Sequence, residues 1–307
     1  MNTVSVVIPT FNAGARLLQA VQSIAAQTWP RERIEVIVVD DGSTDDSWER
    51  MAEFIARSPL RIRYVRQDNA GPASARNHGL RLARGEAIAF LDSDDRWEPA
   101  KLERQVPLLS GPVALAYCDV AFVDACGQPL PNYVRKIQMH RGDILLPLFR
   151  DFFLITSAVV VTSAAIARVG AFDENLPVGE DYELFLRLAR QFHADHVAEK
   201  LLVRCVRPDS LSRRDYALDA RVDLATLDAF LRDNPEFAHR NRRAINERVA
   251  RCHHDFAWRL LADRRRREAI IELLRSLRAR ASFGAARTLA RALLPDALLP
   301  HEARASG

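Results

Sequence analysis

Residues 86–95 read Glu86-Ala87-Ile88-Ala89-Phe90-Leu91-Asp92-Ser93-Asp94-Asp95. An apolar run of strand length ends, without a spacer, in three carboxylates. The same grammar recurs upstream. Val4–Pro9 is β-branched and apolar, and Thr10 and Asn12 follow it. Glu35–Val39 leads into Asp40-Asp41-Gly42-Ser43, and Ile62–Val65 leads towards Asp68 and Asn69. Helical spacing fills the gaps. Leu17, Leu18, Val21, Ile24 and Ala25 share one face of a helix over Leu17–Gln27, and Trp48–Ile55 and Ser74–Ala83 read as two more. Strands alternating with helices at this spacing predict a parallel α/β sheet. In open sheets of this kind the ligand crevice lies beyond the carboxyl ends of the strands, so the four polar clusters should converge on one edge.

Beyond Pro112 the pattern is less regular. Val113–Val123 and Ser157–Val161 read as strands and Asp181–Gln191 as a helix. The longest apolar stretch, Phe152–Ala167, is broken by Thr156, Ser157, Thr162 and Ser163. It is short for a bilayer and reads as a buried strand followed by a turn. The last part reads as all helix. Its apolar stripes are Ile245/Val249/Cys252/Phe256/Leu260, then Ile270/Leu273/Leu274/Leu277, then Phe283/Leu289/Ala290/Leu293. Arg264–Arg267 reads as the turn between two helices or as an exposed face. The change of pattern puts a boundary near Arg213–Asp219, giving domains 1–214 and 215–307.

Composition narrows the class. The 307 residues are 48% hydrophobic and 27% charged, enough for a large core and against disorder. Cys118, Cys126, Cys205 and Cys252 form no CxxC pair and read as scattered thiols in a reducing compartment. The net charge of +4 conceals a split. Residues 1–203 carry 22 Lys+Arg against 26 Asp+Glu; residues 204–307 carry 22 Arg against 14 acids and no Lys. The acidic part suits a metal and the basic part an anionic surface. Met1–Val4 lacks a basic n-region and no window reaches membrane-span length, so a cytoplasmic protein is expected.

Five segments carry chemistry. Packed carboxylates such as Asp92, Asp94 and Asp95 repel one another unless a cation neutralises them, and their oxygens suit Mg2+ or Mn2+. The plain alternative is a solvated acidic turn. Asp40-Asp41-Gly42-Ser43 offers either a helix-capping turn or an acceptor for a base or ribose, with Asp40 structural and Asp41 binding. A dinucleotide dehydrogenase also ends its second strand in an acid, but Pro9-Thr10-Phe11-Asn12-Ala13-Gly14 is not GxGxxG. Arg76 and Asn77 near a helix start point to an anionic partner, because a cation there opposes the helix dipole. Gly179-Glu180-Asp181 opens a helix and supplies either an N-cap or a general base for a hydroxyl nucleophile. The Arg- and Ser-rich run Arg204–Arg214, including Arg207, is either a loop closing over a diphosphate or a solvated linker.

Together these segments resemble glycosyltransferase family 2. The matching residues are Val6-Val7-Ile8-Pro9-Thr10-Phe11-Asn12, Gln27-Thr28, Val38–Ser43, Ala75-Arg76-Asn77, Phe90–Asp95, Val169–Glu174 and Gly179-Glu180-Asp181, and they cover about residues 3–214. The resemblance implies the inverting GT-A fold, a Rossmann-like α/β architecture for nucleotide-diphospho-sugar transferases, here with a C-terminal α-helical extension. It implies a nucleotide-diphosphate sugar donor, a UDP-sugar first among them. Pro9, Thr10, Asn12 and Asp41 would lie around base and ribose, with Arg76 and Asn77 towards the nucleotide or its phosphates. Asp92, Ser93, Asp94 and Asp95 would form the DxD region, with Asp94 and then Asp95 as the metal contacts. Asp181 would be the catalytic base with Glu180 beside it. Many relatives carry His where this chain has Arg207, which cannot ligate a metal but can pair with the diphosphate. The QxxRW signature and membrane spans of processive members are missing, which implies one or a few sugars per encounter.

The implied role is transfer to a hydroxyl of a glycan or lipid-linked acceptor in cell-surface polysaccharide synthesis, with no nucleic acid partner. The C-terminal region would be a packed appendage with an Arg-rich solvent face or a peripheral contact with an anionic membrane. The alternatives are a non-catalytic nucleotide-sugar-binding GT-A protein and a sugar nucleotidyltransferase. The latter needs a Gly/Arg-rich phosphate loop after the first strand, which this chain lacks.

Overall fold

The computed structural model describes residues 3–124, 126–130, 139–206 and 216–293. The chain divides into two compact units, residues 1–148 with 152–208, and residues 149–151 with 209–307. Arg207 and residues 213–215 of the expected boundary segment lie outside the described residues.

The first unit is built on an eight-stranded sheet in the order β3-β2-β1-β4-β7-β6-β8-β5. β1 (Val4–Thr10), β2 (Ile34–Asp40), β3 (Arg61–Arg66) and β4 (Ala87–Phe90) are parallel. α1 (Ala15–Ala25), α2 (Ser47–Arg57) and α3 (Gly71–Leu82) connect them. β1 is buried at every position because it lies inside the sheet and is covered on both faces, which is why its sequence is apolar without alternation. The order reverses at β1: β2 and β3 lie on one side, β4 on the other. Such a switch point opens a crevice between the strand ends. α3 comes close to β1 because Gly79 has no side chain; a Cβ there would lie 2.4 Å from Val7 Cγ1.

The rest of the sheet is not parallel throughout, which corrects the sequence expectation. β7 (Val159–Thr162) runs antiparallel to both β4 and β6 (Val113–Val123). β8 (His193–Cys205) runs parallel to β6, and the short β5 (Asp95–Trp97) pairs antiparallel with β8. Neither β8 nor β5 is legible in the sequence pattern. The apolar stretch at 152–167 holds the expected buried strand, but a helix rather than a turn follows it. It holds a 3-10 turn at Thr156–Ala158, then β7, then α6 (Ser163–Val169), which Thr162 caps by accepting from the Ala165 N–H. α7 (Glu180–Gln191) follows, and two short helices, α4 (Lys101–Gln105) and α5 (Leu145–Arg150), stand before and after β6 in the chain.

The second unit is helical: α8 (Tyr216–Asp233), α9 (Pro235–Arg240), α10 (Arg242–Ala262), α11 (Arg266–Ala279) and α12 (Phe283–Leu293). The Arg264–Arg267 run spans the α10–α11 turn, as expected, and Arg264 adopts φ 60° there. The core holds Phe256, Ala257, Leu260, Ala269, Leu273, Ala285 and Ala292. Two apolar stripes are therefore corrected. Leu274 is exposed, and on α12 it is Ala285, Thr288 and Ala292 that face inward while Phe283 and Leu293 face solvent. Small residues let α12 approach closely; its large side chains would not fit that contact. A cavity of about 430 Å³ in this unit is lined by Arg221, His253, Glu272 and Arg275 among others. Among the described residues no helix is long and apolar enough to cross a membrane. All four cysteines are free.

Candidate functional site

The carboxyl ends of β1 and β2 are tied to each other. Asn12 turns the chain after β1 with φ 49°, a conformation Asn tolerates better than most residues. Its N–H donates to Ser43 Oγ at 2.9 Å, and its Oδ1 accepts from the Thr44 N–H at 2.8 Å. Pro9 and Thr10 are buried, and Thr10 Oγ1 has no hydrogen-bond partner among the described residues. Asp40 accepts from the Ser43 N–H and the Tyr64 hydroxyl, both at 2.8 Å. Asp41 is as firmly held: it accepts from Gln67 Nε2, the Ala70 N–H and the Gly71 N–H at 2.8–2.9 Å. These three bonds use most of the carboxylate's lone pairs, so Asp41 shapes the 67–71 loop whatever else it touches.

Arg76 lies in the second turn of α3 and is buried. Its Nη1 donates to Glu180 Oε1 at 2.6 Å, and its Nη2 to Asp92 Oδ1 at 2.8 Å. The guanidinium also lies 5.5 Å from the centroid of the Phe172 ring. Burial opposes its charge, but Asp92 and Glu180 outweigh that and leave its pKa raised. The anionic partner expected from the sequence is thus a pair of carboxylates, one after β4 and one opening α7. Asn77 is spent differently. Its amide exchanges bonds with the Phe172 backbone at 2.9 Å and donates to Glu174 at 2.8 Å, joining α3 to the segment before α7.

Asp181 stands beside Glu180 in the first turn of α7, which Gly179 enters with φ 74°. A left-handed entry favours glycine, and Glu180 then meets Arg76 of α3 while Asp181 turns to Thr156. Asp181 Oδ2 accepts from Thr156 Oγ1 at 2.9 Å, and Oδ1 from the Tyr182 N–H at 2.8 Å. Burial and then Glu180 push its carboxyl up to about 6, against the pull of Arg76 and Thr156. The residue keeps part of its surface open to solvent, as a base that must meet a substrate requires.

The turn after β4 holds the remaining acids. Asp95 is buried and pushed up to about 8, by burial first and then by Asp92, with Arg204 pulling the other way. Asp94 is also raised, again by burial and then by Asp92, against Arg204 and Arg16. Ser93 lies between Asp92 and Asp94 and is partly exposed. Burial and the neighbouring Asp92 disfavour the ionised form of both carboxyls, a cost that a divalent cation would offset, and hard oxygen donors suit Mg2+ or Mn2+. Among the described residues no three His, Cys, Asp or Glu side chains are grouped to hold an ion by themselves. A cation held by Asp94 and Asp95 would take its other ligands from phosphate and water, the usual arrangement for Mg2+ with a nucleotide.

The structure thus gathers Arg76, Asp92, Glu180 and Asp181 into one network, with Asp94 and Asp95 in the turn that continues from Asp92. The Thr10, Asn12 and Asp41 cluster stands at the neighbouring strand ends. Arg207 lies outside the described residues. Sequence reasoning missed Gln67, Thr156 and Ser157. Their only signal was polarity beside an apolar run.

Comparison with known proteins follows the same outline. The family described as Glycosyl transferase family 2 matches residues 5–176. An uncharacterised glycosyltransferase of Rickettsia felis is 31% identical over 209 residues, covering 66% of this chain and 33% of that protein. The chain therefore spans about a third of that relative's length. An uncharacterised glycosyltransferase of Haemophilus influenzae is 37% identical over 189 residues, 61% of this chain and 71% of that one. Among solved structures, S. aureus TarS 1–349 in complex with UDP-GlcNAc superposes with TM-score 0.69 at 19% identity, covering 90% of this chain and 81% of that one. The mannosyltransferase PcManGT from Pyrobaculum calidifontis, in complex with GDP-Man and Mn2+, gives 0.64 at 23% identity, covering 94% and 78%. At these identities the likeness is one of fold.

Proposed function

Because the chain belongs to glycosyltransferase family 2, whose match covers residues 5–176, we propose that it transfers a sugar from a nucleotide-diphosphate donor to a hydroxyl of a glycan or lipid-linked acceptor, with inversion at the anomeric carbon. The first unit does the chemistry, and cell-surface polysaccharide synthesis is the setting such acceptors imply. The observation that carries the reading is the Arg76 bridge. It joins Asp92, at the end of the strand that leads into the DxD turn, to Glu180, the neighbour of the only acid in α7 held by a Thr hydroxyl.

Each residue then has a task. Thr10, Asn12 and Asp41 stand at the strand ends where base and ribose would lie. Asp94 and Asp95 would hold Mg2+ or Mn2+. A cation bound there supplies positive charge to the diphosphate as it departs. Asp181 accepts the acceptor's hydroxyl proton. Its raised pKa brings it close to the operating range of a general base, whereas an ordinary Asp would be too weak. Arg76 holds Asp92 and Glu180 in place through its two hydrogen bonds. The preorganised carboxylate and the bound sugar then need only the in-line approach of the hydroxyl.

Incubation with UDP-, GDP- and dTDP-sugars plus Mn2+ tests this, with free nucleotide as the readout. Asp181→Asn should lose turnover and keep nucleotide binding. Unchanged turnover would remove Asp181 from the mechanism. Nucleotide-sugar binding by the native protein with no turnover on any acceptor would favour the non-catalytic alternative.

The helical unit supports a second proposal, peripheral contact with an anionic membrane. Arg267, Ile271, Leu274 and Arg278 recur at helical spacing along α11 and are all exposed. Cations flanking an exposed apolar pair suit a surface of anionic headgroups. Salt-sensitive flotation on phosphatidylglycerol vesicles, lost in Arg267→Glu/Arg278→Glu, is the expected result. Equal recovery on phosphatidylcholine vesicles would refute it.

A further inference from the structure

The 3-10 turn Thr156–Ala158 stands between the two halves of the candidate site, and no motif marks it. Thr156 and Ser157 are both buried. Thr156 Oγ1 donates to Asp181 Oδ2 at 2.9 Å. Ser157 turns the other way. Its Oγ accepts from the Asp92 N–H at 3.0 Å, at the head of the turn that leads to Asp94 and Asp95. The Ser157 carbonyl accepts from Trp97 Nε1 at 2.9 Å, and the Lys101 ammonium lies 4.1 Å from the centroid of the Trp97 ring. The Ala158 carbonyl accepts from Gln105 Nε2 at 2.9 Å. The next residue begins β7, which pairs with β4 and β6 inside the sheet. The turn has little freedom to move, being pinned at its carbonyls, in its side chains and through the strand that follows.

Hydroxyl stoichiometry sharpens this. Ser and Thr each carry one donor hydrogen. Thr156 gives its hydrogen to the candidate base; Ser157 offers a lone pair to the N–H that opens the turn of the candidate metal ligands. Two adjacent residues with opposite side-chain directions therefore reach both reaction partners. With Oδ1 taken by the Tyr182 N–H and Oδ2 by Thr156, the plane of the Asp181 carboxylate is fixed.

We propose that Thr156 and Ser157 are positioning residues for sugar transfer: Thr156 orients Asp181 for the acceptor, Ser157 sets the pitch of the Asp92–Asp95 turn, and their shared backbone fixes the distance between the two. The inference rests on the reading of Asp181 as the base and adds the pair that aligns it.

Titration of Asp181 tests the Thr156 arm without any donor. The charged groups facing it are Glu180 on its own helix and Arg76 from α3; Arg76 in turn donates to Asp92 after β4. The Thr156 bond favours the ionised form, so losing it raises the Asp181 midpoint. Aspartate 13C-carboxyl shifts in the full-length protein follow it, with the Asp181 signal assigned by its loss in Asp181→Asn. In Thr156→Val the midpoint should rise by about one pH unit, and in Thr156→Ser it should return to the native value. If Thr156→Val fails to fold, Thr156→Ala reads the same midpoint. A native midpoint in folded Val or Ala variants would overturn the Thr156 role. For Ser157, calorimetric titration of Mn2+ with UDP, GDP or dTDP should weaken several-fold in Ser157→Ala and stay native in Thr156→Val. Equal binding by both variants would overturn the Ser157 role. Failure of the base reading looks different: Asp181→Asn would keep its turnover while the Thr156→Val midpoint still moved.

Discussion

Replacing Arg76 with Met keeps the length of the side chain and removes the charge. The guanidinium is 7% exposed, Glu180 11% and Asp92 30%. Glu180 therefore bears most of the loss: its carboxylate stays buried with no cation in contact, while Asp92 can turn towards water. Breaking a buried pair by removing one partner typically costs about 3–5 kcal/mol. For a unit of this size that lowers the melting temperature by about 10 °C. Thermal unfolding by tryptophan fluorescence in a Trp258→Phe background reports the first unit alone, since Trp29, Trp48 and Trp97 all lie there. The second half of the cycle gives the argument its force. Glu180→Gln in the Arg76→Met background removes the stranded charge and should restore part of the stability, so the two changes must be strongly non-additive. Arg76→Lys should fall between, because one ammonium cannot span two carboxylates that a planar fork reaches at 2.6 and 2.8 Å. A melting temperature within about 2 °C of native for Arg76→Met, or strict additivity with Glu180→Gln, would refute the reasoning.

Three further outcomes follow from named atoms. The acid limb of kcat/KM should have its midpoint near 6, because burial and Glu180 raise Asp181 above an ordinary carboxylate and the protonated base is inactive below that point; a pH–rate profile checks it, and Arg76→Lys, which loosens the cation's hold, should move the midpoint up. Gly79→Ala should destabilise the first unit by about 1–3 kcal/mol in urea unfolding, since the new methyl would meet Val7 Cγ1, and Val7→Ala should rescue part of that loss. Arg264→Gly should stabilise the helical unit by about 1 kcal/mol in calorimetry, because φ 60° strains any residue with a Cβ.

The parallel half of the sheet was legible because buried strands leave an unambiguous mark. Val4–Pro9 and Glu35–Val39 were each read to within one residue of β1 and β2. α3 starts at Gly71 rather than Ser74 because Pro72, which needs no N–H partner, sits in its first turn. β8 escaped notice because it is long, polar and partly exposed, with lysine, arginine and histidine where an inner strand would be apolar. β5 is only three residues long, too short for periodicity to register. The acids and Arg76 stood out by charge. Thr156 and Ser157 did not, because a hydroxyl in an apolar run looks like a flaw in a strand until its partners are known. The stripe on α12 was misjudged because periodicity tells which residues share a face, not which face is covered.

The Arg76–Glu180 bond closes a loop of 104 residues. Contacts at such separation form late, after the nearer ones have limited the chain's freedom. During synthesis the strand ends that carry Asp41 and Asp92 leave the ribosome well before α7 does. A nascent chain at that stage holds the acids assigned to the donor but not the carboxylate assigned to the base. On the proposed reading, the order of the sequence places the base after the donor site, so a nascent chain able to hold nucleotide sugar would still lack the group that activates an acceptor.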